Sequence, residues 1–176
     1  KKRLKAKEKW VTSQLWLVKV SQMLKSIEGN FDNPEVNDLL VKHFIELRSV
    51  SPEGSAHVLD ISGLKNPSIK FWSLWEKDEL MGIGALKFLD EGHGEFKSIR
   101  VNNKFRNKGN GLKVINHLIN EAKNLSIKKL SLETGAGKFF QNARKLFTEC
   151  GFKSSEPFSH YKKDINSIYM SMLISN

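Results

Sequence analysis

A strand-like run, Glu95–Val101, leads into a loop of Arg106, Asn107, Lys108, Gly109, Asn110 and Gly111, and the loop opens directly into a helix. Leu112, Ile115, Leu118, Ile119 and Ala122 mark that helix by their spacing. The succession strand, glycine loop, helix constrains the fold strongly. The first turn of a helix carries free backbone N–H groups and a partial positive charge. Glycines let the backbone close around an anion, and a pyrophosphate is the expected guest. Arg106, Lys108 and Lys104 add positive charge at that point. Taken alone, the loop also reads as an exposed basic turn with a glycine cap.

The rest of the chain alternates strand and helix patterns. Leu24–Glu28 reads as a first strand. Pro34, preceded by Asp32 or Asn33 as cap, opens a helix over about 35–49, with Val36, Leu39, Leu40, His43, Phe44 and Leu47 on one face. A short second helix fits near Val58–Leu64. Ile69–Glu76, Leu80–Leu89 and Glu95–Val101 read as strands joined by the short polar breaks KDE and DEGHG, which predicts antiparallel hairpins. Lys129–Glu133 is a further strand. Phe139, Ala143, Leu146 and Phe147 mark a helix stopped by Gly151, and Ser167–Leu173 is a last strand. The layout is mixed α/β around one sheet.

Two nucleotide signatures are excluded. The Gly135–Lys138 run has the GK of a Walker loop, but Leu132 stands where its first glycine belongs and Phe139 where Ser or Thr belongs. The Arg106–Gly111 loop also lacks GxGxxG. The five histidines make no i, i+4 pair, and no metal is expected. No apolar run reaches the ~18 residues of a membrane span, so no membrane partner is expected.

The loop and its surroundings resemble the GNAT superfamily of N-acetyltransferases. Arg106–Gly111 is similar to that family's Q/R-x-x-G-x-G/A segment, placed between a fourth strand and a third helix. Ala143, Leu146, Phe147, Gly151 and Phe152 resemble its A-x-x-L-Y-x-x-x-G-F segment. SPEGSAHVLD, FWSLWE, GIGALK, HGEFKSIRV, LSLETGAG and PFSHYKKDINSIYMSM resemble a YsnE-like bacterial subgroup, and the likeness covers about residues 24–173. It implies a GNAT-type acyl-CoA N-acyltransferase fold, with a mixed central sheet of about six or seven strands and about four flanking helices.

The resemblance also implies acetyl-CoA as cosubstrate, lying in an opening between strands four and five. Backbone at Ile99, Arg100 and Val101 would bond the pantetheine. Arg106, Asn107, Lys108, Gly109, Asn110 and Gly111 would cradle the pyrophosphate. Phe147, on the helix from Gly137 to Cys150, would flank the thioester end.

An amine acceptor must lose a proton before it attacks. Glu95, at the start of the fourth strand, is the first candidate base; the alternative is a solvated strand-end carboxylate. Glu133, at the end of the fifth strand, is the second; its alternative is pairing with Lys97 or Arg100. The sequence departs from the family at Phe147, where a tyrosine usually stands, and at Phe140, where an asparagine usually stands. Tyr161 is the candidate substitute acid, its alternative a surface tyrosine. Trp72 and Trp75 are read as sharing one strand face, lining the acceptor site or packing in the core. His57 is a loop residue with no evident partner.

Residues 1–22 hold seven Lys/Arg against Glu8, more than half of the chain's net +10, so the basic excess belongs mainly to a terminal extension. No nucleic-acid partner is expected of the domain, read as 23–176. The single cysteine, Cys150, reads as a core residue near a helix end and fits a reducing, cytoplasmic setting. A homodimer is an expectation from the superfamily alone. Two other functions stay open at this level: an acyl-CoA-binding module without catalysis, and a nucleic-acid binder using the basic tail.

Overall fold

Polar turns and caps divide the chain into its elements, which assemble as one seven-stranded sheet. The structure, a computed structural model, describes residues 24–174 except 53 and 56. The expected basic extension over 1–22 lies outside the described residues.

Strand β1 is Leu24–Glu28 and helix α1 is Pro34–Val50. The Asn33 side chain accepts from the N–H groups of Glu35 and Val36, and Pro34 follows it as the first helical residue. Both are standard ways to begin a helix. A single short turn, α2 (Ile61–Leu64), is capped by Asp60. Strands β2 (Ile69–Glu76), β3 (Glu79–Asp90) and β4 (His93–Val101) form an antiparallel meander. The connections are shorter than the sequence pattern suggested. Lys77 and Asp78, both at positive φ, make the first turn, and Glu91 and Gly92 make the second.

Helix α3 (Asn110–Asn124) then carries the chain back to β5 (Lys129–Gly135), which lies parallel to β4. Helix α4 (Gln141–Glu149) follows a short 3₁₀ turn over Lys138–Phe140. Two-residue β6 (Lys153–Ser154) is too short for a sequence pattern to reveal; it pairs with β7 (Ser167–Leu173). The sheet order is β1-β2-β3-β4-β5-β7-β6.

Two apolar layers hold the sheet. On one face α3 and α4 contribute Val114, Ile115, Leu118 and Phe147 against Leu86, Phe96 and Leu132. On the other, α1 contributes Val36, Leu39 and Leu40 against Phe71, Ile83 and Ala85. Trp72 belongs to the first layer and Trp75 to the second, so the two tryptophans do not share a face as expected. They stand three residues apart, and a strand's side chains alternate with period two. Cys150 is half-buried at the C-terminal cap of α4 and packs against the first layer, as expected.

Candidate active site

The pairing of parallel β4 and β5 begins at His93 with Lys129 and ends at Phe96 with Leu132. Beyond that point the strands part. A β-bulge in β4 accompanies the split: Lys97 faces Ala85 and Arg100 faces Ile83, so Ser98 and Ile99 together oppose Gly84. Ser98 sits in the left-handed region at φ 50. The extra residue places Lys97 and Arg100 on one face of the sheet, the face covered by α1.

A cavity of about 190 Å³ fills the split. Lys97, Ser98, Ile99 and Arg100 line it from β4, and Leu132, Glu133, Thr134 and Gly135 line it from β5. His43 and Leu47 of α1 close one side; Ala143 and Phe147 of α4 close the other. The cavity therefore joins the two faces of the sheet through the gap between the strands.

The two candidate carboxylates stand differently toward it. Glu133 lines the cavity. Its Oε1 accepts from the Ser167 hydroxyl at 2.6 Å. Burial holds its carboxyl above the ordinary glutamate range, and the Ser167 bond and the charges of His57 and Lys97 only partly offset that. Glu95 is wholly buried rather than solvated, and it lies behind Lys97. Its Oε1 accepts from Tyr161 Oη at 2.6 Å and pairs with Lys97 Nζ at 2.9 Å. The expected partner of Glu133, Lys97, thus serves Glu95, and Arg100 Nη1 pairs with Glu46 of α1.

Tyr161 is not a surface residue. It belongs to the 155–166 loop and is buried there with Phe158, against Tyr169 of β7. Lys97 Nζ donates to its hydroxyl at 2.5 Å and to the His57 carbonyl at 3.3 Å. The His57 ring meets the Tyr161 ring edge-on at 5.1 Å, which gives His57 the partner that sequence reading lacked. Burial first, then the Glu95 charge, pushes the phenol far above its usual range. Such a phenol donates a hydrogen bond well and releases its proton poorly.

On the α3 side, Gly109 caps the helix at φ 74, where L side chains are strained, and Asn107 is at φ 60. A side chain added at Gly109 would meet no atom within 4 Å, so the space over the helix N-terminus is open to a ligand. Gly111 has a different reason. A Cβ there would stand 2.6 Å from Leu146 Cδ2, so glycine lets α4 close on α3. Asn110 points inward: its Nδ2 donates to the Phe105 carbonyl at 2.9 Å and fastens the loop. The first turn of α3 holds no acidic residue. Arg106 reaches the Val101 carbonyl through Nε at 3.3 Å, and Lys108 reaches the Lys104 carbonyl at 3.2 Å.

Sequence reading named Lys97 only as a pairing partner of Glu133, and His43 only as a helix-face residue. Burial, then the Arg100 charge, lowers His43 to a pKa of about 4, so its imidazole is neutral at pH 7. Among the described residues no group of three or more His, Cys, Asp or Glu could hold a metal ion. No described helix is long and apolar enough to cross a membrane.

A model of the acetyltransferase (GNAT) family matches residues 34–152. The chain is 44% identical over 136 residues to the uncharacterised N-acetyltransferase YsnE of Bacillus subtilis, covering 77% of this chain and 90% of that one. It is 37% identical over 142 residues to the uncharacterised N-acetyltransferase YedL of Escherichia coli, covering 81% and 89%. Among solved structures, a Bacillus subtilis acetyltransferase in complex with CoA superposes with a TM-score of 0.65 at 22% identity, covering 86% of this chain and 99% of that one. An Elizabethkingia anophelis GNAT family acetyltransferase with acetyl-CoA bound gives 0.60 at 20% identity, covering 86% and 98%.

Proposed function

The chain belongs to the acetyltransferase (GNAT) family of acetyl-CoA-dependent acyltransferases, and from that premise we propose that it transfers an acetyl group from acetyl-CoA to a primary amine in the β4–β5 cavity, with Glu133 as general base. One observation carries the reading. A carboxylate kept basic by burial lines the same cavity as the unpaired stretch of β4, and that stretch leads into an open glycine-capped helix N-terminus.

The residues fit acetyl-CoA. Backbone at Ile99–Val101 lies beyond the end of the β4–β5 pairing, which supports a role for it in bonding the pantetheine. The α3 N-terminus, with Arg106 and Lys108 beside it, suits the pyrophosphate. Phe147 gives the thioester end an apolar wall. When bound, acetyl-CoA supplies an activated acyl carbon.

Glu133 takes the proton that the acceptor nitrogen loses as the C–N bond forms and the C–S bond breaks. Lys97 directs N–H groups to Glu95, Tyr161 and the His57 carbonyl, so its charge is fixed at the cavity wall. In this scheme Glu95 and Tyr161 position Lys97. The thiolate takes its proton from solvent, because Phe147 has no phenol and Tyr161 holds its own tightly.

The test is thiol release from acetyl-CoA in the presence of a panel of primary amines, with the acetylated product identified by mass. Amine-dependent release at rates far above the uncatalysed reaction is expected. Binding of acetyl-CoA without any transfer would instead leave a non-catalytic acyl-CoA module.

A further inference from the structure

Among the described residues, six buried side-chain polar atoms have no hydrogen-bond partner. Three of them, His43 Nδ1, Ser98 Oγ and Arg100 Nε, belong to residues that line the β4–β5 cavity. Buried polar groups are normally paired, so three orphans on residues around one cavity call for an explanation, and a polar ligand group supplies one.

The chemistry of the trio is specific. Arg100, one of the cavity-lining residues, gives Nη1 to Glu46, which aligns the guanidinium, and its Nε stays buried without a partner. The Nε edge of a guanidinium is a planar fork matched to the two oxygens of a carboxylate. The Arg100 side chain is 12% exposed, so such a bond would be shielded from water, whereas Glu46 is 33% exposed and keeps contact with solvent. Lys97, the other cation on this wall, already points its N–H groups at Glu95, Tyr161 and His57. His43 is 5% exposed and neutral at pH 7, so its Nδ1 serves as a donor in the appropriate tautomer. Ser98 adds a hydroxyl from a strained position, φ 50, which strands rarely hold without a reason.

The side of the sheet decides whose carboxylate this is. Arg100 stands opposite Ile83 and Lys97 opposite Ala85, both in the apolar layer of α1, and His43 is on α1 itself. Phe147 and the first turns of α3, where the cofactor would lie, belong to the other layer. We infer that His43, Ser98 and Arg100 form a subsite for a carboxylate carried by the acceptor, so that the acceptor is a small amino-carboxylate. The inference rests on the acetyl-transfer reading given above.

The experiment compares each standard amino acid, β-alanine and 4-aminobutanoate with its own carboxamide as acetyl acceptor, and measures acetyl-CoA binding separately by calorimetry. At least one acid is expected to exceed its carboxamide by about tenfold or more in kcat/KM, because a site built for a hydrogen-bonding group rejects the analogue that lacks it. Arg100→Met removes the guanidinium and keeps the backbone that the pantetheine would use, so it is expected to erase that preference while changing acetyl-CoA binding far less than it changes the acid-over-carboxamide ratio. Ser98→Ala, a smaller change, should reduce the preference in part and covers the case in which Arg100→Met fails to fold. Equal rates for acids and carboxamides would overturn the subsite, as would acetyl-CoA binding with no amino-carboxylate acetylated. Weakened acetyl-CoA binding in Arg100→Met with the preference intact would assign the orphans to pantetheine carbonyls instead. A parent that does not bind acetyl-CoA at all would overturn the acetyl-transfer reading itself.

Discussion

Replacing Glu133 by Gln separates chemistry from folding. The Gln amide has almost the same shape, and its oxygen still accepts from Ser167 Oγ, 2.6 Å from the present Oε1. It cannot take a proton. General-base assistance contributes about 10²–10⁴-fold, and at about 1.36 kcal/mol per tenfold this raises the barrier by about 2.7–5.5 kcal/mol. Stability should move the other way. Burial raises the Glu133 pKa in the folded state. The stabilising contribution of its protonated form is therefore complete below the unfolded glutamate pKa and is lost as pH rises through the folded value. At pH 7 the uncharged Gln removes that burden, so Glu133→Gln should unfold at a temperature no lower than the parent. The assay is kcat/KM for acetyl transfer against pH, beside thermal unfolding at each pH. The parent should show an acidic limb whose midpoint lies above the ordinary glutamate range; the variant should show none. Activity within about threefold of the parent, too small for a lost general base, or an unchanged limb, would refute the assignment and return the role to Glu95.

Three further outcomes follow from the geometry. Lys97→Met alone strands a wholly buried Glu95 and should destabilise the protein by about 3–5 kcal/mol, whereas Lys97→Met with Glu95→Gln should recover most of that loss in denaturant unfolding. Tyr161→Phe keeps the ring packing and removes one hydrogen bond to Glu95; it should lower the unfolding temperature and leave kcat within several-fold, while a loss of a hundredfold would make Tyr161 the acid after all. Gly111→Ala should push the Leu146 side chain aside at a cost of about 1–3 kcal/mol, and Leu146→Ala in the same chain should restore part of the stability by removing the 2.6 Å conflict.

The glycine loop and helix start proposed for the cofactor were legible as structure because they are local in sequence. Gly109, the helix start at Asn110 and the apolar face of α3 all fall within one short stretch, and a positive φ beside a helix N-terminus leaves a readable mark. The antiparallel meander was legible for the same reason, although the turns proved tighter. The acceptor side was not. Glu95 and Glu133 were found as strand-end acids, but which of them meets the cavity is decided by Lys97 and by Tyr161, 66 residues along the chain from Glu95. Tyr161 carries no local sign that it will be buried. The bulge at Ser98 leaves no glycine to betray it, yet it alone brings Lys97 and Arg100 to one face. His43 was read correctly as an inward helix residue; that its imidazole ends unpaired in a cavity depends on where β4 splits from β5. The tryptophan pair was a misreading of strand parity, which the sequence itself could have corrected.

Acetyl-CoA is proposed to occupy the split between β4 and β5 with its phosphates on the α3 N-terminus. Thermal unfolding of the full chain with and without acetyl-CoA, beside an Arg106→Glu, Gly109→Glu double variant, tests that placement most directly. A ligand at a hundredfold excess over its Kd adds about 2.7 kcal/mol to the stability of the state it binds. The midpoint of the parent is expected to rise clearly and that of a folded double variant not to rise. A folded parent whose midpoint does not move, or a double variant that shifts as much as the parent, would contradict that placement.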